Sequence, residues 1–164
     1  MTSVTSRGAA VAAGVALIVL PVLAVLLKGS IFPGWMMLIA VMASPLLLLG
    51  YALQVVIAVN AFLRAKGVIR RSPGGRRALI AAWLTSIGVF AVALFLVDGG
   101  DDGTYGSAFT ELMGMNSTPE GESLSTVFML ICASIWLAAW LWLVIEWIVQ
   151  LVQARERRAP MPRE

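Results

Sequence analysis

Four long apolar segments constrain the fold of this 164-residue chain more than any other feature. The hydrocarbon core of a bilayer is about 30 Å thick, and a helix needs about 20 apolar residues to cross it. The chain supplies such runs at about 9–27, 35–63, 78–97 and 126–152. We therefore predict an all-α membrane protein. Its single transmembrane domain covers residues 1–164, and its four helices form an antiparallel bundle.

The distribution of basic residues predicts how these spans are oriented. Eleven of the twelve Lys and Arg residues flank the spans on one side of the membrane, and only Lys28 lies on the other. Basic residues collect on the cytoplasmic side of membrane proteins. We therefore expect both termini, the basic loop 64–77 and the tail 153–164 to be cytoplasmic, and the acidic loop 98–125 to be external. The usage of Ala, Val, Leu, Arg and Gly is typical of a high-GC bacterium, so the bacterial inner (plasma) membrane is the expected location.

The first span has a competing interpretation as a cleaved signal peptide. It starts with a basic residue, continues with an apolar stretch and contains Val22, Leu23 and Ala24 as a cleavage site. However, the apolar run exceeds the 7–15 residues typical of a signal peptide. Lys28 also ends the run as it would end a membrane span, so we favour a retained span.

Composition excludes several classes of catalytic and metal site. The chain has no histidine and a single cysteine, Cys132. A Ser-His-Asp triad, a His-ligated haem, a cysteine zinc site and an intramolecular disulfide are therefore excluded. The glycine-rich phosphate-binding motifs are missing as well. We expect no enzymatic activity, no metal and no cofactor.

Polar residues inside the spans form the main candidate site. Glu146 is the only charged residue well inside a span, and an intramembrane carboxylate needs a partner, a cavity or a proton. Counted inward from the basic residue at the cytoplasmic end, polar side chains of three spans fall at a similar depth. These residues are Gln54, Thr85, Ser86 and Glu146. The predicted polar layer serves either to hold the helices together by hydrogen bonds or to bind a cation or proton.

Tryptophan is concentrated in the last predicted span, which holds four of the six in the chain. Trp136, Trp140 and Trp147 lie apart from the face that carries Glu146. They either pack against the other helices or form a ridge that contacts a partner, because aromatic residues are favoured anchors at interfaces.

Local signals predict two kinks and one short helix. Pro21 and Pro45 lie inside the first two spans, and each removes the hydrogen bond to a carbonyl one turn earlier. In the external loop, Ser107 can cap a short helix that Gly114 ends. We expect that helix to lie at the outer membrane interface.

The basic cluster of the second loop predicts contact with anionic lipid. Its members are Arg70, Arg71, Arg76 and Arg77. Each basic residue near an anionic leaflet adds about 1 kcal/mol of attraction. No aromatic residues are interleaved with the cluster, so nucleic acid is not an expected partner.

These observations favour a non-enzymatic accessory or scaffold subunit of a larger membrane complex. Its partners would be the lipid bilayer and either another membrane protein or further copies of itself. The alternative is a small oligomeric channel or transporter with a polar intramembrane layer around Glu146, since an oligomer would multiply the helices and carboxylates.

Overall fold

A computed structural model describes residues 6–65, 67, 69, 74–101 and 103–156. These described residues are mostly helical, at 83%. Four of its helices are long and apolar enough to cross a membrane, as expected of a multi-pass membrane protein. These helices are Arg7–Ile31, Ser44–Leu63, Gly75–Phe95 and Pro119–Glu156.

The first span is one helix, α1 (Arg7–Ile31). Ser6 begins it, and the Ser6 hydroxyl accepts a hydrogen bond from the backbone N–H of Ala9 at 3.3 Å. This contact satisfies one of the amides that a helix N-terminus leaves without an intrahelical acceptor. The helix is continuous through Pro21.

The second span is divided. Helix α2 (Trp35–Met42) and helix α3 (Ser44–Ile57) are separated at Ala43. A π-helical turn, Ala58–Leu63, continues α3. Pro45 lies in the first turn of α3, where its missing N–H costs no intrahelical hydrogen bond. The predicted kink is therefore a boundary between two helices.

The last two spans differ greatly in length. Helix α4 is Gly75–Phe95, and the final helix, α6, is Pro119–Glu156. The 38 residues of α6 measure about 57 Å at 1.5 Å per residue, nearly twice the hydrocarbon thickness. Thr118 accepts a hydrogen bond from the N–H of Gly121 at 3.1 Å, so α6 starts within the segment expected to be loop.

The segment between α4 and α6 contains two short strands and a short helix. Strands β1 (Asp98–Gly99) and β2 (Tyr105–Gly106) pair in antiparallel fashion. Helix α5 (Ala108–Met113) follows, and Ser107 and Thr110 form a capping box at its start. Gly114 ends α5 with a φ of +66°, in the left-handed region that favours glycine. The short helix predicted between Ser107 and Gly114 is present.

Helix α1 packs on the end of the second span and on α4, and α4 packs on α6. In the part of the chain that the structure describes, no comparably extensive contact joins α6 to α3. The core is built largely from small residues, which allow helix backbones to approach closely. It includes Ala10, Ala13, Leu17, Ile57, Ala58, Ala61, Phe62, Ala78, Ala81, Ala82 and Leu143.

Candidate functional site

Gln54 replaces the hydrogen bond that Pro21 removes from α1. Pro21 has no N–H, so the carbonyl of Leu17 lacks its normal donor one turn later. The Gln54 side chain is buried, and its Nε2 donates to the Leu17 carbonyl at 2.7 Å. Neighbouring helices commonly satisfy groups freed by proline in this way. Gln54 therefore has a structural partner on α1.

Tyr51 makes a second contact of the same kind, which the sequence did not single out. Its hydroxyl donates to the carbonyl of Ile18 at 2.8 Å. Tyr51 and Gln54 are three residues apart and lie on one face of α3. Together they join α3 to consecutive carbonyls beside the proline of α1.

Thr85 and Ser86 are both fully buried in α4. The Ser86 hydroxyl donates to the carbonyl of Ala82 in its own helix at 2.8 Å. Among the described residues, the Thr85 hydroxyl has no hydrogen-bond partner. An unpaired buried hydroxyl typically costs about 1–3 kcal/mol, so the Thr85 hydroxyl is a costly group that is available to a partner.

Glu146 lies beside the N-terminus of α4. Its Oε1 accepts a hydrogen bond from Gln150 Nε2 at 3.0 Å, and a Cβ added at Gly74 would overlap its carboxylate. Thr85 is eleven residues further along α4, about 16 Å along the helix axis. The structure thus groups Glu146 with Gly74 and Gln150, and it does not bring Glu146 together with Thr85.

The basic residues from which depth is counted do not mark one level. Counting inward from Arg155 in α6 and from Arg77 in α4 assumes that both mark the same membrane edge. Glu146 lies against Gly74, which precedes Arg77, so Arg155 lies beyond the level that Arg77 marks. The carboxylate lies where the partial positive charge of the α4 N-terminus favours an anion. Within the described ranges, no three acidic or cysteine side chains are grouped so that they could hold a metal ion.

The tryptophans of α6 have different surroundings. The backbone and Cβ of Trp136 lie against Gly88 of α4, and Trp147 packs against the core. Trp140 is half-buried, whereas Trp142 is 52% exposed. Trp136 and Trp147 therefore have packing roles within the fold, and Trp142 presents the most exposed indole of this helix.

A buried ion pair is the polar site that sequence reasoning missed. The Nζ of Lys28 lies 3.2 Å from Oδ2 of Asp98, and the two side chains are only 4% and 1% exposed. Lys28 also donates to the carbonyl of Leu96 at 3.0 Å. The pair joins the end of α1 to the segment that follows α4.

Asp98 additionally caps α2. Its Oδ1 accepts hydrogen bonds from the backbone N–H groups of Met36 and Gly99, both at 2.9 Å. Met36 is in the first turn of α2, where N–H groups lack intrahelical acceptors. A signal was available in the sequence, because Lys28 and Asp98 have opposite charges and end two spans on the same predicted side.

The basic cluster is only partly described. Arg76 and Arg77 are exposed in the first turn of α4. Arg70 and Arg71 lie outside the described residues. Cations are unfavourable near a helix N-terminus, so helix stability does not explain Arg76 and Arg77.

The chain matches no protein-family model, no curated protein and no solved structure.

Proposed function

We propose that this protein is a non-enzymatic accessory or scaffold subunit of a larger complex in a bacterial inner membrane. In this proposal its four spans form an antiparallel bundle with both termini and the basic loop 64–77 in the cytoplasm. The clustering of Lys and Arg in those segments supports the orientation. The segment around α5 then faces outward.

The observation that carries the proposal is an apolar surface on α2 and the start of α3. None of the α2 side chains is buried, and the leucines that follow Pro45 are exposed as well. We call this region the α2–α3 surface. It comprises Trp35, Leu38, Ile39, Val41, Met42, Leu46, Leu47, Leu48 and Leu49.

The α2–α3 surface is held in place although it adds little to the core. Asp98 caps the first turn of α2, and a Cβ at Gly34 would lie 2.5 Å from the Asp98 carboxyl group, so the helix start is closely fitted. A surface that is positioned before binding loses less conformational entropy when a partner docks. This favours a protein contact over a purely lipid-facing role.

The hydrogen bonds that polar side chains already make within the protein also favour a scaffold over a channel. Gln54 and Tyr51 donate to backbone carbonyls of α1, and Ser86 donates within its own helix. These side chains serve the packing of the helices. A pathway for ions needs polar groups that can exchange partners with the passing ion.

Native mass spectrometry of the protein, extracted gently from its own membrane, tests the proposal. We expect other subunits to co-purify in a fixed ratio. Leu38→Ala combined with Leu48→Ala on the α2–α3 surface should reduce the bound partner at least tenfold, since truncated interface anchors each cost about 1 kcal/mol or more.

The matched control combines Leu23→Ala and Leu26→Ala on α1, which are 43% and 57% exposed, against 52% and 63% for Leu38 and Leu48. This control should retain the partner. Loss of the partner in both double variants, or in neither, would contradict the assignment of the α2–α3 surface.

The alternative proposal is a small oligomeric channel or transporter. It is supported by the buried hydroxyl of Thr85, which has no partner among the described residues and offers unused polar capacity inside the helices. A homo-oligomer without other subunits would favour this alternative. Ion flux into liposomes should then fall in Glu146→Gln, whereas a scaffold predicts no flux to lose.

A further inference from the structure

Helices α4 and α6 leave an apolar groove of about 340 Å³ on one side of their contact. Each helix contributes side chains at positions i, i+3, i+4 and i+7, which lie on one helix face. The lining of the groove includes Arg77, Ala81 and Leu84 on α4 and Ile135, Ala138 and Trp142 on α6.

Two close contacts set the direction and length of the groove. Gly88 lies against Trp136, and Gly74 lies against Glu146, so α4 and α6 run in opposite directions. Arg77 therefore faces the level of Trp142, and Leu84 faces the level of Ile135. The seven residues between these levels span about 10 Å. One leaflet of the hydrocarbon core is about 15 Å deep, so the groove covers much of a single leaflet.

The chemistry of the groove differs between its two ends. Arg77 is exposed at one end, and it forms no salt bridge with any described residue. The exposed indole of Trp142 lies at the same level. The remaining lining is apolar. The small side chains of Ala81 and Ala138 leave the space between the two helices. Tryptophan and arginine together are typical of the membrane–water interface.

We propose that this groove binds one anionic phospholipid from the leaflet on the side of the basic loop. The lipid phosphate pairs with the Arg77 guanidinium, which can donate two parallel hydrogen bonds to it. An acyl chain lies between α4 and α6 and fills the groove toward Leu84 and Ile135.

Charge decides between this lipid and a second copy of the chain. A second copy docked along the groove would cover Arg77 and leave a desolvated cation without a partner, which is costly in an apolar setting. An anionic lipid neutralises that charge and supplies an apolar chain in the same molecule. Binding of one anionic lipid molecule in this groove does not depend on the scaffold role.

The test measures lipids that stay bound to the full-length protein. The protein is reconstituted into vesicles of equimolar phosphatidylglycerol and phosphatidylcholine, released gently, and weighed by native mass spectrometry. We expect one phosphatidylglycerol to be retained in preference to phosphatidylcholine. Arg77→Gln should lower this retention about fivefold, and Arg77→Lys should restore part of it.

Two matched controls isolate the groove. Arg76→Gln removes another exposed charge in the same turn, but Arg76 does not line the groove. Ala138→Phe fills the groove, whereas Leu137→Phe alters a neighbouring exposed position outside it. Retention should be lost in Ala138→Phe and kept in both controls.

Three results would overturn the proposal. Equal retention of both lipids would remove the role of the headgroup charge. Displacement of the lipid by inorganic phosphate at equal concentration would show that no acyl chain is held. A dimer that Ala138→Phe dissociates without changing lipid retention would assign the groove to a second copy of the chain.

Discussion

The Lys28–Asp98 pair should be the most sensitive polar contact in this protein. Both side chains are almost fully buried, and the carboxylate also holds two backbone amides. Removing one member of a buried ion pair leaves the other charge desolvated and usually costs about 3–5 kcal/mol. Two backbone N–H groups still donate to Asp98 when Lys28 is removed, so we expect Lys28→Met to cost about 3 kcal/mol, the lower end of this range.

A double-mutant cycle separates the pair from its surroundings. Asp98→Asn keeps an oxygen that can accept from Met36, so it removes the charge and preserves the cap. Because Lys28→Met and Asp98→Asn together leave no unpaired charge, the double variant should lose less stability than the sum of the two single variants. The coupling should be about 2 kcal/mol, within the range for residues in direct contact.

Unfolding in mixed micelles of increasing SDS content, followed by circular dichroism, measures these free energies. Asp101→Asn is the control, because Asp101 is an exposed acid in the same segment. It should change stability by less than about 0.5 kcal/mol. Unfolding of Lys28→Met at the same SDS content as the wild type, or strictly additive single variants, would refute the reasoning.

Three further predictions use the same unfolding measurement. Gln54→Leu should lower the free energy of unfolding by about 1–2 kcal/mol. In a Pro21→Ala background most of this loss should disappear, because alanine at this position restores an N–H donor within α1. An equal loss with and without Pro21 would disprove that Gln54 replaces the missing donor. Gly88→Ala should cost about 1–3 kcal/mol of stability, because its new Cβ would lie 2.8 Å from the Cβ of Trp136. Gly50→Ala, which adds a Cβ in open space, should be nearly neutral or stabilising. Similar effects at both glycines would contradict the close contact. Ser107→Ala should cost about 1 kcal/mol through loss of the α5 cap, and unchanged amide exchange at the start of α5 would argue against it.

Much of the local structure could be predicted from sequence. The four apolar segments, the interruption of the second span near Pro45, which was expected as a kink, and the short helix after Ser107 each depend on residues close together in the chain. The carbonyl of Leu17 could be identified as unpaired from Pro21 alone. Its donor could not, because Gln54 is far along the chain and only the packing of α3 on α1 brings the two together.

The polar layer illustrates the limit of counting residues. The depth assigned to Glu146 required a known membrane edge, and the basic residues of the C-terminal tail were the only marker available. The contact with Gly74 places the carboxylate beside the α4 N-terminus, so Arg155 lies further out than Arg77 and the two residues do not mark one edge.

The sequence by itself determined that the chain carries four segments long and apolar enough to cross a membrane as helices, because hydrophobic length and composition are properties of contiguous residues. Only the tertiary structure decided which polar groups are paired. Lys28 pairs with Asp98, Gln54 donates to the Leu17 carbonyl, and Glu146 lies against Gly74. Such contacts depend on the rotation and offset of one helix against another. Hydropathy defines neither the rotation nor the offset, because an apolar residue has the same hydropathy whether it faces lipid or is buried between helices.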